Sequence, residues 1–226
     1  FALQNVDARN LIHNKRSELQ LEKYNTVTAL TSPSTSEGGG DANHETSTIV
    51  DVSITGRVEG NGVREPPLSG VPSGTNVTLA FHVNSSSFEP VNVDGFKNSA
   101  RAYPIDQSSF SLTFVTNPSI TIPLLSPFPN TTTPYFTLAH GEPFADGFWV
   151  SQTANSPGGV PLQQQPLNAG FEVHFNRGTL ASLDITKCLG SYNYTGLTSF
   201  GYTLWALIPD NVAMEINYIG ISLSSR

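Results

Sequence analysis

The chain has 226 residues, of which 38% are hydrophobic and only 13% charged, and it contains 19 Gly and 16 Pro. So few charges argue against a coiled coil, a long-helix bundle or a charged disordered protein. The 11 basic and 18 acidic residues give a net charge of -7, which is the wrong sign for binding nucleic acid or an anionic membrane surface. The length predicts one domain and an additional short segment.

Residues 1–30 differ in composition from the rest of the chain, because they contain no Gly or Pro. The apolar residues of this segment first follow helical spacing and then occupy alternate positions, which predicts a short helix followed by a strand. Residues 31–40 have the Ser, Thr and Gly composition of a flexible linker. We therefore divide the chain into an N-terminal arm with its linker, residues 1–47, and a β-domain, residues 48–226.

The β-domain consists of short apolar stretches separated by Gly, Pro and Asn turn signals. In residues 77–83 the apolar side chains occupy odd positions, which predicts a strand with its odd side in the core. About ten such stretches predict an all-β fold, an antiparallel β-sandwich of jelly-roll type with an extended N-terminal arm. The predicted strands cover residues 49–54, 77–83, 110–114, 120–125, 135–138, 148–150, 171–175, 180–185, 202–208 and 215–223.

No catalytic motif is present, since the sequence lacks a Gly-x-Ser-x-Gly elbow, a P-loop, a Rossmann fingerprint and an HExxH pair. Cys188 is the only cysteine, so neither an intrachain disulfide nor a thiolate metal cluster can form. We interpret Cys188 as a small half-buried hydrophobic residue, with a bridge between subunits or a catalytic thiol as alternatives. We expect no enzymatic activity, no cofactor and no metal.

Two further groups of polar residues have a structural and a functional interpretation. Glu142 and Asp146 lie in a Gly- and Pro-containing loop, where solvation is the main interpretation and bound calcium or glycoside hydrolysis the alternatives. His82 and His174 lie at polar positions of predicted strands. We interpret them as surface histidines, with a zinc or copper pair as the alternative.

The chain contains four Asn-x-Ser/Thr sequons, at Asn76, Asn84, Asn130 and Asn193, which is about as many as chance gives at this Ser and Thr content. Asn76 and Asn84 lie at the outward-facing ends of one predicted strand, and the other two lie in turns. All four positions are therefore expected to be exposed, as acceptors of a glycan must be.

The chain is expected to act outside the cell. It starts at Phe1 rather than Met, which indicates a mature or trimmed chain. The sequence contains no run of about 18 apolar residues, the length that a membrane-spanning helix needs. We expect a secreted protein, extracellular or at the cell surface, without membrane insertion.

The N-terminal arm favours self-assembly as the leading function. A mostly apolar-alternating segment on a flexible linker can add a strand to the open sheet edge of a neighbouring copy. Such donation is heterologous and produces a filament unless it closes into a ring. The alternative is an arm that is disordered or docked on its own domain. The apolar residues of the arm are Leu3, Val6, Leu11, Ile12, Leu19, Leu21 and Val27.

Two tryptophans favour an alternative function, carbohydrate binding. Trp149 and Trp205 lie in predicted strands, and exposed aromatic rings are surfaces on which sugar rings stack. A role in the core is the other interpretation of both residues. The expected partners are therefore copies of the same chain, and glycans under the alternative.

Several turn and strand phrases resemble those of secreted all-β bacterial proteins of the PEP-CTERM-associated type. They are PLSGVPSG (67–74), IDQSSFSL (105–112), PFP (127–129), TPYF (133–136), DGF (146–148), LASLDI (180–185) and GSYNYTGLT (190–198). The resemblance covers residues 49–224 and implies an exported extracellular or surface-matrix protein of unassigned activity. It implies no functional residues.

Overall fold

Alternating apolar and polar residues produce strands along most of the described chain, and a computed structural model places these strands in one antiparallel sheet. The structure describes residues 47–93, 96–129, 132–140, 145–154, 158–164, 166–207 and 210–226. They all belong to one compact unit, His44–Arg226. The all-β, antiparallel class predicted from the sequence is confirmed.

The predicted assembly residues of the arm lie outside the described residues, and so do Asn130 and Glu142. Those assembly residues are Leu3, Val6, Leu11, Ile12, Leu19, Leu21 and Val27.

Strands dominate the described residues, and the helical elements there are three short 3-10 turns. The strands are β1 (Ile49–Asn61), β2 (Asn76–Asn84), β3 (Glu89–Val93), β4 (Phe96–Pro104), β5 (Ser111–Phe114), β6 (Ile120–Ile122), β7 (Tyr135–Ala139), β8 (Asp146–Ser151), β9 (Val160–Pro161), β10 (Leu167–Phe175), β11 (Gly190–Tyr192), β12 (Leu197–Leu207) and β13 (Asp210–Ser225). The 3-10 turns are Leu68–Gly70, Gln107–Ser109 and Ile185–Lys187. The described part of the chain holds no helix with the length and apolar character needed to cross a bilayer.

The strand order is β3-β4-β7-β8-β10-β12-β13-β1-β2-β5-β6, with β9 added beside β10 and β11 beside β13. The sheet is curled, because segments near both of its ends bond to strands far away in this order. The Asp106 amide, which follows β4, donates to the His82 carbonyl of β2 at 2.9 Å. The Leu125 amide, which follows β6, donates to the Pro161 carbonyl of β9 at 2.9 Å.

The core lies on the concave side of the curl, and β2 shows how the sequence builds it. Its odd residues Val77, Leu79, Phe81 and Val83 are buried, as their alternation predicts. The Phe81 ring meets Phe136 of β7 edge to face, with the ring centroids 5.4 Å apart. Strands that are distant in the sheet therefore share one hydrophobic core.

The predicted strand at 180–185 is wrong, because polar side chains satisfy the backbone there in place of a neighbouring strand. The Ser182 hydroxyl accepts from the Asp184 amide at 3.0 Å, and the Asp184 carboxylate accepts from the Thr186 amide at 3.0 Å. Asp184 is the N-cap of the 3-10 turn Ile185–Lys187. Local side-chain bonds of this kind favour turns over ladders.

Candidate functional site

The outer face of β10 and β12 carries a row of small and polar residues. Strand periodicity points Gly170 and Glu172 of β10 outward, while the odd residues of β10 enter the core. In the antiparallel register Gly170 lies opposite Thr203 and Glu172 lies opposite Gly201. Trp205 follows two residues after Thr203, on the same face of β12. Two neighbouring strands thus present an aromatic, a carboxylate and a hydroxyl group around two glycines.

Gly158 and Gly159, which precede β9, lie at one side of this face. Gly159 forms a parallel bridge with Ser151 at the end of β8. Gly159 has φ 64°, and a Cβ atom there would lie 2.7 Å from the Ala169 carbonyl oxygen. Both the conformation and the close approach require glycine. A groove of about 260 Å³ results, lined by Val150, Gly158, Gly159, Gly170, Phe171, Glu172, Gly201, Thr203 and Trp205.

Trp205 forms the aromatic wall of the groove. Cβ atoms built at Gly159 and Gly170 would each lie 3.2 Å from the indole Nε1. The ring therefore rests close to the backbone at two positions where no side chain intervenes. Trp205 remains partly exposed, as a stacking surface for a ligand must be.

Trp149, the other tryptophan predicted for carbohydrate binding, is only 4% exposed. It belongs to a second, smaller apolar cluster together with Tyr135 and Ala139, and Ala154 packs against that cluster. Its ring is therefore not presented to a ligand. Of the two predicted residues, only Trp205 lines the groove.

The groove is acidic and offers hydrogen-bond acceptors. The Glu172 side chain leans over Gly201, with its Cγ and Oε1 atoms 3.3 and 3.5 Å from the position of a Cβ atom there. Glu172 is the one charged residue in the lining. A second carboxylate, that of Glu215, is exposed on β13 opposite Thr203. The site therefore favours ligands that donate hydrogen bonds.

Polar groups without a hydrogen-bond partner among the described residues lie next to the groove. Asn168 is fully buried, and neither its amide oxygen nor its amide nitrogen is bonded. It lies on β10 directly opposite Trp205. The buried Trp149 Nε1 and Thr137 Oγ1 also lack a hydrogen-bond partner among the described residues. These two residues are paired across β7 and β8. Buried unbonded groups of this kind are rare in folded proteins and cost about 1–3 kcal/mol each.

Asp146, predicted as a solvated loop residue, is instead buried at the start of β8. Its Oδ2 accepts from the Leu180 amide at 2.7 Å, and its Oδ1 lies 3.1 Å from His140 Nδ1. The carboxylate is thus used to hold two segments of the chain together. Within the ranges that the structure describes, no three His, Cys, Asp or Glu residues are grouped as metal ligands would be.

The remaining predicted residues lie away from the groove. Asn76 and Asn193 are exposed, and Asn84 is partly exposed with its Oδ1 accepting from the Ser47 hydroxyl at 2.8 Å. Cys188 is buried and its thiol donates to the Ser182 carbonyl at 3.0 Å. Burial raises the pKa of this thiol, which keeps it protonated and supports its interpretation as a hydrophobic residue.

His82 and His174 are both partly exposed on strands, as predicted for surface histidines. The His82 Nε2 atom lies 3.3 Å from Asp51 Oδ1 of the neighbouring strand.

A scan against protein-family models and searches of curated proteins and of solved structures each found no match to this chain. The resemblance to the PEP-CTERM-associated type therefore stays a prediction.

Proposed function

We propose that the β-domain binds carbohydrate and that the groove beside Trp205 is its binding site. The observation that carries the proposal is the position of Trp205, partly exposed and held against Gly159 and Gly170 beside an acceptor carboxylate. Small-molecule sites commonly combine an apolar wall with a few well-placed polar groups. A sugar presents both surfaces, a C–H face and a rim of hydroxyls.

Each lining residue has a distinct role in this proposal. The indole of Trp205 stacks against the C–H face of a pyranose ring. The Glu172 carboxylate accepts hydrogen bonds from two hydroxyls of the sugar, and bonds to a charged acceptor are stronger than neutral ones. The Thr203 hydroxyl can donate or accept between them.

The site extends along the strands, which favours an oligosaccharide over a single sugar. Trp205 lies opposite Asn168 and Gly201 lies opposite Glu172. The backbones of these two cross-strand pairs are about 13 Å apart along β10 at the rise of an antiparallel strand. The Trp205 indole leans to Gly170, only two residues or about 7 Å from Glu172, so one pyranose ring can contact both side chains. Further linked rings would extend along the strands, and we expect two or three of them to bind better than one.

The test is affinity electrophoresis of the full chain through gels that contain soluble glucan, xylan, mannan or galactan. We expect at least one polysaccharide to retard the wild-type protein. Trp205→Ala should abolish the retardation because it removes the stacking surface, and Trp205→Phe should keep part of it. Circular dichroism and thermal unfolding establish that both variants fold.

Phe200→Ala is the matched control. Phe200 lies on the same strand and is 41% exposed, but its ring contacts Tyr218 rather than the groove, with centroids 6.0 Å apart. Its loss should leave retardation unchanged. The proposal is wrong if no polysaccharide or glycan array member binds the wild type, or if folded Trp205→Ala binds as well as the wild type.

Two further predictions from the sequence, the type of β-fold and the location of the protein, are also proposed here. We propose that the curled sheet is a sandwich of jelly-roll type, which the contact of Phe81 with Phe136 across the core supports. We also propose a secreted protein, extracellular or at the cell surface, where glycans are abundant partners. The exposed sequons at Asn76 and Asn193 are compatible with that location.

Self-assembly through the N-terminal arm is a second proposal. The observation that favours it is the position of β3, which is the terminal strand in the sheet order and pairs with β4 among the described strands. An open edge can accept a strand from another chain. The donor residues lie outside the described ranges, and deletion of the arm tests the proposal.

A further inference from the structure

We infer that the groove selects neutral oligosaccharides and rejects glycans that carry carboxylate or sulfate groups. This inference rests on the proposed carbohydrate function and names its ligand class. Its basis is the charge of Glu172 and of the residues around the groove, whereas the proposed function depends first on the stacking surface of Trp205.

Glu172 determines the electrostatics of the groove. Its side chain leans over Gly201, so the carboxylate lies at the ligand surface rather than pointing away from it. Neither Lys nor Arg contributes to the lining. No ion pair neutralises Glu172 in the part of the chain that the structure describes. A ligand that enters the groove therefore meets an uncompensated negative charge.

The surroundings add to this negative field. Glu215 is exposed on the adjacent strand, opposite Thr203 of the lining. The whole chain carries a net charge of -7. His174, two residues after Glu172 on the same face, is directed toward β8, with its Nδ1 3.2 Å from the position of a Cβ atom at Gly147. The groove therefore presents acceptors to hydroxyl groups and like charge to anionic sugars.

The expected discrimination follows from Coulomb's law. A sugar carboxylate or sulfate seated in the groove would lie within a few ångströms of the Glu172 carboxylate. At such a separation near a protein surface, like charges reduce binding by about tenfold or more at low salt. A neutral sugar instead donates its hydroxyl protons to the same carboxylate and gains affinity from it.

The experiment compares matched trisaccharides by titration calorimetry on the full chain. Neutral gluco-, manno- and galacto-trisaccharides are measured beside tri-glucuronate, tri-mannuronate and tri-galacturonate at low salt. We expect at least one neutral trisaccharide to bind and its uronate counterpart to bind at least about tenfold more weakly. Added salt should narrow the difference, because exposed charges are screened.

Glu172→Gln isolates the cause, because it preserves the shape of the side chain and removes its charge. We expect it to weaken the neutral ligand, through loss of a charge-assisted hydrogen bond, and to reduce the discrimination against uronates to about threefold or less. Glu59→Gln is the matched control, since Glu59 is exposed on β1 and the substitution changes the net charge equally. It should leave the discrimination unchanged.

The outcomes separate the two claims. Equal binding of neutral and uronate trisaccharides that is lost in Trp205→Ala overturns the selectivity and leaves the carbohydrate function standing. Discrimination that survives unchanged in Glu172→Gln also overturns the inference. Failure of every trisaccharide and polysaccharide to bind overturns both.

Discussion

At the scale of single residues, the shape of the groove depends on the absence of a side chain at Gly170. A Cβ atom at this position would lie 3.2 Å from the Nε1 and 3.5 Å from the Cδ1 atom of Trp205. The distance to Nε1 is tighter than ordinary van der Waals contact, so a methyl group would displace the indole rather than clash with backbone. Gly170 therefore controls the placement of the aromatic wall without contacting a ligand itself.

We predict that Gly170→Ala weakens carbohydrate binding while the protein remains folded. The unfolding free energy should change by about 1 kcal/mol or less, because the displaced ring is at the surface and alanine is favoured over glycine in a strand. Acrylamide quenching of tryptophan fluorescence should increase as Trp205 moves outward, whereas Trp149 stays buried. Denaturant unfolding and gel retardation give the stability and the binding.

Gly70→Ala is the control for this substitution, because no atom lies within 4 Å of a Cβ built at Gly70. It should alter neither the quenching nor the binding. Unchanged quenching and full binding in Gly170→Ala would show that Trp205 does not depend on the glycine.

At the scale of elements, periodicity predicted those strands whose two faces differ. The odd residues of β2 are buried and its even residues are partly exposed or exposed, so alternation identified its extent within one residue at each end. Residues 180–185 also alternate, but Ser182 and Asp184 bond the local backbone and form a turn. β3, β4, β9 and β11 were missed; of these, β9 and β11 have two and three residues, which are too few for any periodicity to register.

Local sequence patterns also predicted only part of the site, because several of its features depend on how distant strands pair. Trp205 was a candidate because aromatic residues are conspicuous in a sequence. In the sequence, Glu172 and Thr203 are ordinary outward-facing strand residues. The β10–β12 register places Glu172 opposite Gly201 and Thr203 opposite Gly170, which brings both side chains to the groove. The role of Gly159 depends on its bridge with Ser151 at the end of β8, which is a property of strand pairing that local spacing does not encode.

Three tyrosines on adjacent strands predict that the protein loses stability in alkali. Burial raises the pKa of Tyr192 on β11 to about 12, and it also raises the pKa values of Tyr202 on β12 and Tyr218 on β13 above their ordinary value of 10. Above pH 10 the unfolded chain releases these protons while the folded protein keeps them. Unfolding then releases protons, so the unfolding free energy falls as pH rises.

The measurement is the urea midpoint as a function of pH. We expect no contribution from these tyrosines below about pH 9 and a progressive loss of stability from pH 10 through about 12, the window set by Tyr192. Tyr202→Phe should reduce the loss, because it removes one of the hydroxyls that release a proton on unfolding, and this hydroxyl has no hydrogen-bond partner among the described residues. A midpoint that stays constant between pH 9 and 11.5 would contradict the prediction.

At the scale of the whole molecule, hydrogen bonds between segments that are distant in the strand order hold the curl of the sheet. The bonds from Asp106 to His82 and from Leu125 to Pro161 tie the segments after β4 and β6 to strands that are distant in the sheet order. The core that these bonds enclose consists of residues between Val50 and Leu223, most of them in β-strands. Because His44–Arg226 form a compact unit with this core, we expect the fold to form without residues 1–30.

We therefore predict that deletion of residues 1–30 leaves the thermal unfolding midpoint and carbohydrate binding unchanged. If the arm donates a strand to a neighbour, the full chain should also form larger species as its concentration rises, and the deletion should remain a monomer. Sedimentation velocity over a hundredfold range of concentration, with electron microscopy of the largest species, measures this difference. A full chain that stays monomeric throughout, or a deletion that assembles equally well, contradicts assembly through the arm. A large fall in the unfolding midpoint on deletion would instead show that the arm stabilises its own domain.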